Sequence, residues 1–319
     1  MKNKLSVISA LCAMFCMIFA SDTVIKYSAD ALRLCIEVIV PSLLPFVAVT
    51  SLLRRLGFMQ WLGIRLQKIA AALFGCSGEG TSALVMGLLG GYPLGASEIS
   101  SMLEQKRISS GEAERLLAFC NNSGPAFIVG TVGAGVFGSV SKGILLYLIH
   151  VLSAVLCGIL FRRKNHICNL SEYSPVSVSF SAAFTDSVKE ALSVGLNVCG
   201  FVICFTVLSA ILRLCGVYSL ISSFIHTLMG IDEDMVCALL TGVLEIGSGA
   251  GALAGLPDSA GVFCSAAFIL GFGGLSVHAQ TAALFADSGI SMKRHFSGKL
   301  LCGCISAALA FVLEISILK

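Results

Sequence analysis

The run Ser259–Ala286 contains no Asp, Glu, Lys or Arg, and neither do Leu116–Ser141, Gly143–Phe161 and Ala191–Leu212. Each is close to or beyond the ~18 apolar residues that cross a hydrocarbon core. Charged residues make up 12% of the 319-residue chain and hydrophobic ones 56%, whereas soluble domains carry about 25% charged residues. There is too little polar material for a water-exposed shell. In lipid the backbone must close its own hydrogen bonds within each segment. The expected fold class is therefore all-α: a polytopic integral membrane protein whose principal partner is the lipid bilayer.

Met1-Lys2-Asn3-Lys4 followed by the apolar Leu5–Ser21 reads as a first transmembrane helix. The residues Ile18-Phe19-Ala20 lack the small-x-small pattern of a cleaved leader. Leu32–Leu53, closed by Arg54-Arg55, reads as a second span. Gly57–Gly75, with Trp61, Arg65, Gln67 and Lys68 among apolar residues, suits an interfacial amphipathic helix. Gly80–Ser97 reads as a re-entrant hairpin, and the charged Ile99–Arg115 as a loop outside the membrane. Arg162-Arg163-Lys164 opens a polar linker. These boundaries give an N-terminal transmembrane helix (1–28), a first repeat (29–164), a linker (165–184) and a second repeat (185–319).

The repeats show in the residues. Ser51–Gly57 matches Ala210–Gly216, Ala83–Leu89 matches Ala238–Leu244, and Ser153–Leu156 matches Ser306–Leu309, at offsets between 153 and 159. Basic residues are enriched on the cytoplasmic flank of membrane proteins. Applied here, that rule places Arg54-Arg55, Lys106-Arg107, Arg162–Lys164 and Lys293, Arg294 and Lys299 on the inside, and the acidic Asp232–Asp234 outside. Equivalent segments then run in opposite directions, so inverted repeats with broken or re-entrant helices are expected.

Four polar or glycine-rich interruptions fall inside otherwise apolar segments. They are Gly90-Gly91-Tyr92-Pro93, Asn121-Asn122-Ser123-Gly124-Pro125, Glu245–Gly249 with Ser248, and Gly271–Gly274 followed by Ser276, His278 and Gln280. Broken helix at membrane depth survives only where it is buried in protein or lines a wet cavity. In carriers built from inverted repeats such breaks meet near the midplane, where helix N-termini face anions and loose carbonyls face cations. The candidate substrate-binding residues are thus Tyr92, Pro93, Asn121, Asn122, Ser123, Gly124, Glu245, Ser248, Gly274, Ser276, His278 and Gln280. The two carboxamides also suit plain helix–helix hydrogen bonding. Glu245 is the only carboxylate in its segment, and an ionisable residue in a membrane is a functional hypothesis by default. His150, in a uniformly apolar helix, reads as a packed histidine. Gly133, Gly135, Gly251 and Gly255 read as close-packing glycines.

Other chemistry finds little support. The fourteen cysteines are scattered through apolar runs without a CxxC, so they read as small hydrophobes rather than metal ligands. Gly133–Gly138 matches GxGxxG but follows no soluble strand and opens no βαβ unit. There is no GxxxxGK[ST], HExxH or GxSxG, and no basic stripe interleaved with aromatics. No enzyme activity, cofactor, metal or nucleic acid is expected.

The stretches Gly78–Ala96 (GEGTSALVMGLLGGYPLGA) and Glu114–Phe137 (ERLLAFCNNSGPAFIVGTVGAGVF), with PSLLPF at Pro41–Phe46, resemble the sporulation integral membrane proteins of the YlbJ/SpoVV type, which belong with the Gate-domain, "nucleoside recognition" membrane proteins. The resemblance is densest over residues 30–160. It implies transport of dipicolinic acid towards the forespore during endospore formation, in the mother-cell-derived outer forespore membrane. Nucleoside and ferrous-iron carriers in the wider group leave the substrate open. A small planar dianion suits helix N-termini and Asn or Ser donors, although few basic residues lie inside the spans, and Arg33 and Arg213 stand near their ends.

The sequence thus predicts a secondary transporter of a small organic anion, coupled to H+ or Na+, with its oligomeric state open. The rival readings are a nucleoside-type permease and a non-transporting scaffold or subunit of a sporulation complex, docking through Ile99–Arg115 or the linker.

Overall fold

A computed structural model describes residues 2–163 and 178–317, and the described residues contain helices and turns but no strand. Most of the expected linker lies outside them, and helix begins again at Phe180. The chain opens with α1 (Lys2–Phe19) and α2 (Ser21–Leu34). A wide π-type turn, Cys35–Ile39, carries α2 into α3 (Val40–Arg55). Residues 22–31, between the two expected spans, are therefore helical, and Ser21–Arg55 runs as one helical stretch long and apolar enough to cross a membrane. Pro41, just past the π-type turn, and Pro45 both lie inside this helical run.

Next come α4 (Phe58–Leu73) and α5 (Gly78–Gly90), bent 98° to one another. The bend is built by residues without bulk: Gly75 adopts φ +59°, and a Cβ on Gly63 would stand 3.2 Å from the backbone of Gly78. Its exposed amides are met from elsewhere. Gln67 Oε1 accepts from Gly78 N–H at 2.5 Å, and Glu112 Oε1 accepts from Ser77 N–H at 2.7 Å.

The segment α6 (Leu94–Glu104) and α7 (Ser110–Leu116) corrects the expectation of an exposed loop. Ile99, Met102, Ala113 and Leu116 are fully buried, as are Glu98, Glu112 and Arg115 nearly so. The charges that suggested solvent are paired internally: Arg107 with Glu79 at 2.6 Å, and Arg54 with Glu98 at 3.8 Å.

After an irregular stretch from Leu117 to Pro125 the chain forms a wide helix, Ala126–Val136, then α8 (Val140–Leu160). Leu116–Ser141 is thus a broken segment rather than a continuous crossing. The remaining order is α9 (Phe180–Leu214), α10 (Val217–Met229), α11 (Glu233–Leu244), α12 (Ile246–Ala254), α13 (Ala260–Phe272), α14 (Gly274–Leu284) and α15 (Lys293–Ile317).

Among the described residues five helical stretches are long and apolar enough to cross a membrane: Ser21–Arg55, Val140–Leu160, Phe180–Leu214, Ala260–Leu284 and Lys293–Ile315, and the bent α4–α5 pair makes a sixth if it counts as one span. Ala260–Leu284 is the most enclosed, and α13 packs along α15. Small residues allow that approach, since a Cβ on Gly271 would come within 2.7 Å of Gly303 Cα. Two helical pairs fold back on themselves. In α5–α6 a Cβ on Gly87 would stand 3.3 Å from Gly95 Cα, and in α11–α12 one on Gly249 would stand 2.2 Å from Gly242 Cα. Each is a hairpin, turning at Gly91–Pro93 and at Glu245 respectively.

Candidate solute site between four helix breaks

The tips of the two hairpins and the two remaining breaks converge. A Cβ on Gly91, which has φ +81°, would stand 3.0 Å from the amide nitrogen of Gly124. One on Gly274, φ +77°, would stand 3.1 Å from the amide nitrogen of Ile246. Tyr92 reaches across to the other half, where its hydroxyl donates to the Leu270 carbonyl at 3.4 Å. Each hairpin tip therefore rests on an unwound segment, and only glycine permits the contact.

Between them lies a small, partly open cavity of about 80 Å³. Its lining includes Gly90–Tyr92, Ser123–Gly124, Glu245–Gly247, and Ser276 with Gln280, so one residue group from each interruption faces the same space. The rest of the wall comes from α3, the wide helix and α9, with Ser42, Phe46, Phe127 and Val202 among its residues. Apart from the breaks the wall is apolar, with aromatic faces at Phe46, Phe127 and Tyr92.

The polar groups differ in how far the protein satisfies them. Glu245 is wholly buried, in extended backbone between α11 and α12, and its carboxylate accepts from Gly247 N–H at 3.0 Å and Ser248 N–H at 2.5 Å. It caps the helix it precedes, which compensates its charge with the positive end of α12. At α14 there is no such cap: Gly273 precedes the helix and offers no side chain. Ser276 Oγ and Gln280 Oε1, both buried, have no hydrogen-bond partner in the protein. Buried polar atoms are nearly always paired, and of the unpaired ones among the described residues only these two belong to residues that line the cavity, which makes them the groups best placed to meet a solute.

The other predicted residues sit behind the wall. Asn121 Nδ2 donates to Thr281 Oγ1 at 2.9 Å, and Asn122 Nδ2 donates to the Phe119 carbonyl at 2.7 Å. Both side chains are fully buried and neither lines the cavity, although Asn121 Oδ1 has no hydrogen-bond partner among the described residues. Ser123 lines the cavity, and its N–H donates to His150 Nε2 at 3.1 Å, which fixes the tautomer of that packed histidine. Pro93 precedes α6 behind Tyr92, and Gly274 is closed against α11. His278 stacks instead on Phe272, His295 and Phe296.

Ser248 shares a 2.9 Å hydrogen bond with Thr206 and faces a second, larger cavity of about 380 Å³, which also touches Asp30, Arg213 and Thr241. Gly247 lines both spaces. The Glu245 tip is thus the partition between them.

The sequence reading missed Lys299. It was counted with Lys293 and Arg294 on the cytoplasmic flank, yet its side chain is 1% exposed. Its Nζ donates to Asn122 Oδ1 at 3.4 Å and lies over the Tyr92 ring, 5.2 Å from the centroid. The signal was available as a helical face, since His295, Lys299, Cys302 and Ser306 recur at i, i+4, i+7 and i+11, and all four are buried. Among the described residues no group of His, Cys, Asp and Glu is arranged to hold a metal ion.

The family described as Gate, nucleoside recognition, matches residues 36–159. The sporulation integral membrane protein YlbJ of Bacillus subtilis (strain 168) is 32% identical over 347 aligned residues, covering 97% of this chain and 84% of that protein. Among solved structures, the concentrative nucleoside transporter CNTnw in an inward-facing substrate-bound state matches with a TM-score of 0.56 at 14% identity, over 98% of this chain and 84% of that one. A CNTnw variant in its intermediate 3 state matches with a TM-score of 0.56 at 15% identity, over 98% and 85%. At such identities the structural likeness is one of fold: a transporter-like arrangement of membrane helices.

Proposed function

This chain belongs to the family of the sporulation integral membrane protein YlbJ, and from that premise we propose that it is a secondary carrier moving a small planar solute through the cavity between its helix breaks. The convergence of all four breaks on one cavity carries the reading. A scaffold has no need of unwound helices at membrane depth, and the candidate docking segment Ile99–Arg115 leaves only the short stretches 104–106 and 109–111 exposed.

The solute we favour is a small aromatic carboxylate, with dipicolinic acid the leading compound by family resemblance. Three features support it. The first turn of α14 presents an uncapped positive helix end with Ser276 and Gln280 unpaired beside it. Phe46, Phe127 and Tyr92 offer faces to a flat ring. Glu245 spends its charge on the α12 amides, while Lys299 behind Tyr92 adds positive charge without a paired carboxylate. On this reading Tyr92, Ser123, Gly124, Glu245, Ser276 and Gln280 contact the solute. Pro93, Asn121, Asn122, Ser248, Gly274 and His278 shape the breaks. The outer forespore membrane is the proposed location, and a gradient of H+ or Na+ the proposed driving force.

The element order supports inverted repeats. A long helix, a short helix, a hairpin, a broken segment and a closing helix occur as α3, α4, α5–α6, α7 to the wide helix, and α8. They recur as α9, α10, α11–α12, α13–α14 and α15.

A neutral nucleoside is the second reading, because Glu245 also offers acceptor oxygens to sugar hydroxyls and the fold is that of a nucleoside transporter. Uptake into proteoliposomes separates the two. Labelled dipicolinate is expected to accumulate and labelled uridine not to. Uridine uptake alone would favour the second reading, and uptake of neither by correctly inserted protein would overturn carriage of both.

A further inference from the structure

Lys299 is an ammonium inside a membrane helix, and among the described residues no carboxylate oxygen comes within 4.0 Å of it. Burying a charge without a counter-charge is costly, and side chains of this kind inside membranes mark functional positions. What it touches is specific. Asn122 Oδ1 belongs to the irregular stretch after α7, and the Tyr92 ring and hydroxyl belong to the tip of the α5–α6 hairpin. The remaining neighbours are the imidazoles of His150, His278 and His295 and the thiols of Cys120, Cys157 and Cys302.

Unwound segments in membrane carriers leave oxygens that gather a cation. Here the same kind of place, bounded by a side-chain oxygen of one break and an aromatic face of the other, is filled by a side chain of α15. A π face and a carboxamide oxygen are partners that any monovalent cation accepts. The carboxamide that holds Nζ has its own NH2 tied to the Phe119 carbonyl, which aims its oxygen at the lysine.

We infer that Lys299 occupies a monovalent-cation subsite between the two helix breaks, so that this carrier holds its solute-binding conformation without an alkali metal ion. The inference rests on the proposed carrier function for its uptake readout and narrows the driving force from H+ or Na+ to one that excludes Na+. Asn122 and Tyr92 are positioning residues in this scheme, since they act through the ammonium.

The test uses the full-length chain in detergent and in proteoliposomes. With wild-type protein, replacing NaCl by choline chloride at equal ionic strength is expected to change Tm by less than 1 °C and initial dipicolinate uptake by less than twofold. In Lys299→Ala the subsite is vacated, so Tm is expected to fall in choline and to be restored selectively by ethylammonium or Na+, saturating with concentration. Lys299→Arg, which keeps the charge, is expected to retain more of the wild-type Tm than Lys299→Met.

A saturating, Na+-specific rise of Tm in the wild type, or a fivefold or greater loss of its uptake in choline, would overturn the inference. So would a folded Lys299→Ala that no small cation stabilises over choline. If Lys299→Ala does not fold, the wild-type ion substitution and the Arg–Met comparison decide alone. The Tm arm needs no transported solute. Failure of the carrier reading, seen as no uptake under any ion, is therefore distinct from failure of the subsite.

Discussion

Gly91 and Gly124 meet backbone to backbone: a Cβ on Gly124 would stand 3.1 Å from both Cα and N of Gly91. The tip of the first hairpin thus rests on the unwound stretch with no side chain between them. Gly124→Ala should force the two apart at a cost of about 1–3 kcal/mol, read as a lower Tm in detergent. Gly130→Ala is the internal control, because nothing lies within 4 Å of a Cβ there and the residue is helical. It should leave Tm unchanged or raise it slightly, since glycine in a helix costs about 0.5–1 kcal/mol relative to alanine. Equal losses in both variants would remove the contact from the account of stability.

Glu245 separates cap from charge. Glu245→Gln keeps an oxygen that accepts from Gly247 or Ser248 N–H, whereas Glu245→Ala removes the cap, which costs about 0.5–2 kcal/mol. The glutamine variant should therefore stay close to wild type in Tm while the alanine variant falls. For a carboxylate solute, loss of the negative charge should lower KM at least twofold. For a nucleoside it should raise KM, because an acceptor for hydroxyls weakens. The direction of the KM change under the two labelled solutes is the measurement.

What could be read before the structure was the location of the breaks, since glycine, proline and carboxamide in an uncharged run announce themselves. Their convergence on one cavity is what the proposed repeats would produce. Two things were less legible. Charge was taken as a sign of solvent at Ile99–Arg115 and at Lys299, but Arg107 and Glu79 neutralise one another inside the protein, and Lys299 turns inward on a helical face. Counting charges misses this; the period of His295, Lys299, Cys302 and Ser306 records it. The second was which members of a polar cluster face open space. Asn121 and Asn122 are adjacent to Ser123, yet both tie their NH2 groups to protein and stand off the cavity lining, and no local pattern distinguishes the three.

Asn121 and Thr281 accordingly make a structural prediction. Their 2.9 Å bond joins the first unwound stretch to α14, 160 positions along the chain. Hydrogen bonds between membrane helices contribute about 0.6 kcal/mol on average and up to ~1.7. A double-mutant cycle of Asn121→Ala and Thr281→Ala should return a coupling energy in that range from unfolding in mixed micelles. A KM for the solute that stays within about twofold of wild type in Asn121→Ala would agree with its place behind the wall. A coupling near zero would mean that the two side chains do not support one another.

Glu190 on α9 gathers the charged end of α3. Its carboxylate accepts from Ser51 Oγ at 2.7 Å, from Arg55 Nη2 at 3.0 Å and from Arg54 Nη2. Arg54 also approaches Glu98 of α6, so its guanidinium, held by Glu190, extends the cluster to a third element. Glu190→Gln leaves two guanidiniums side by side and should cost about 1.5–3 kcal/mol, the range for hydrogen bonds to charged groups. Asp186 offers the comparison within the same cluster. It pairs only with Arg55, at 3.6 Å, and its side chain is 51% exposed, so Asp186→Asn should cost less than about 1 kcal/mol. Exposed pairs are screened by salt and enclosed ones much less. Raising NaCl from 0.1 to ~1 M should therefore erase the Asp186 effect on Tm and preserve most of the Glu190 effect. A Glu190 effect that disappears equally would place the cluster in open water rather than at the packed junction of α3, α6 and α9.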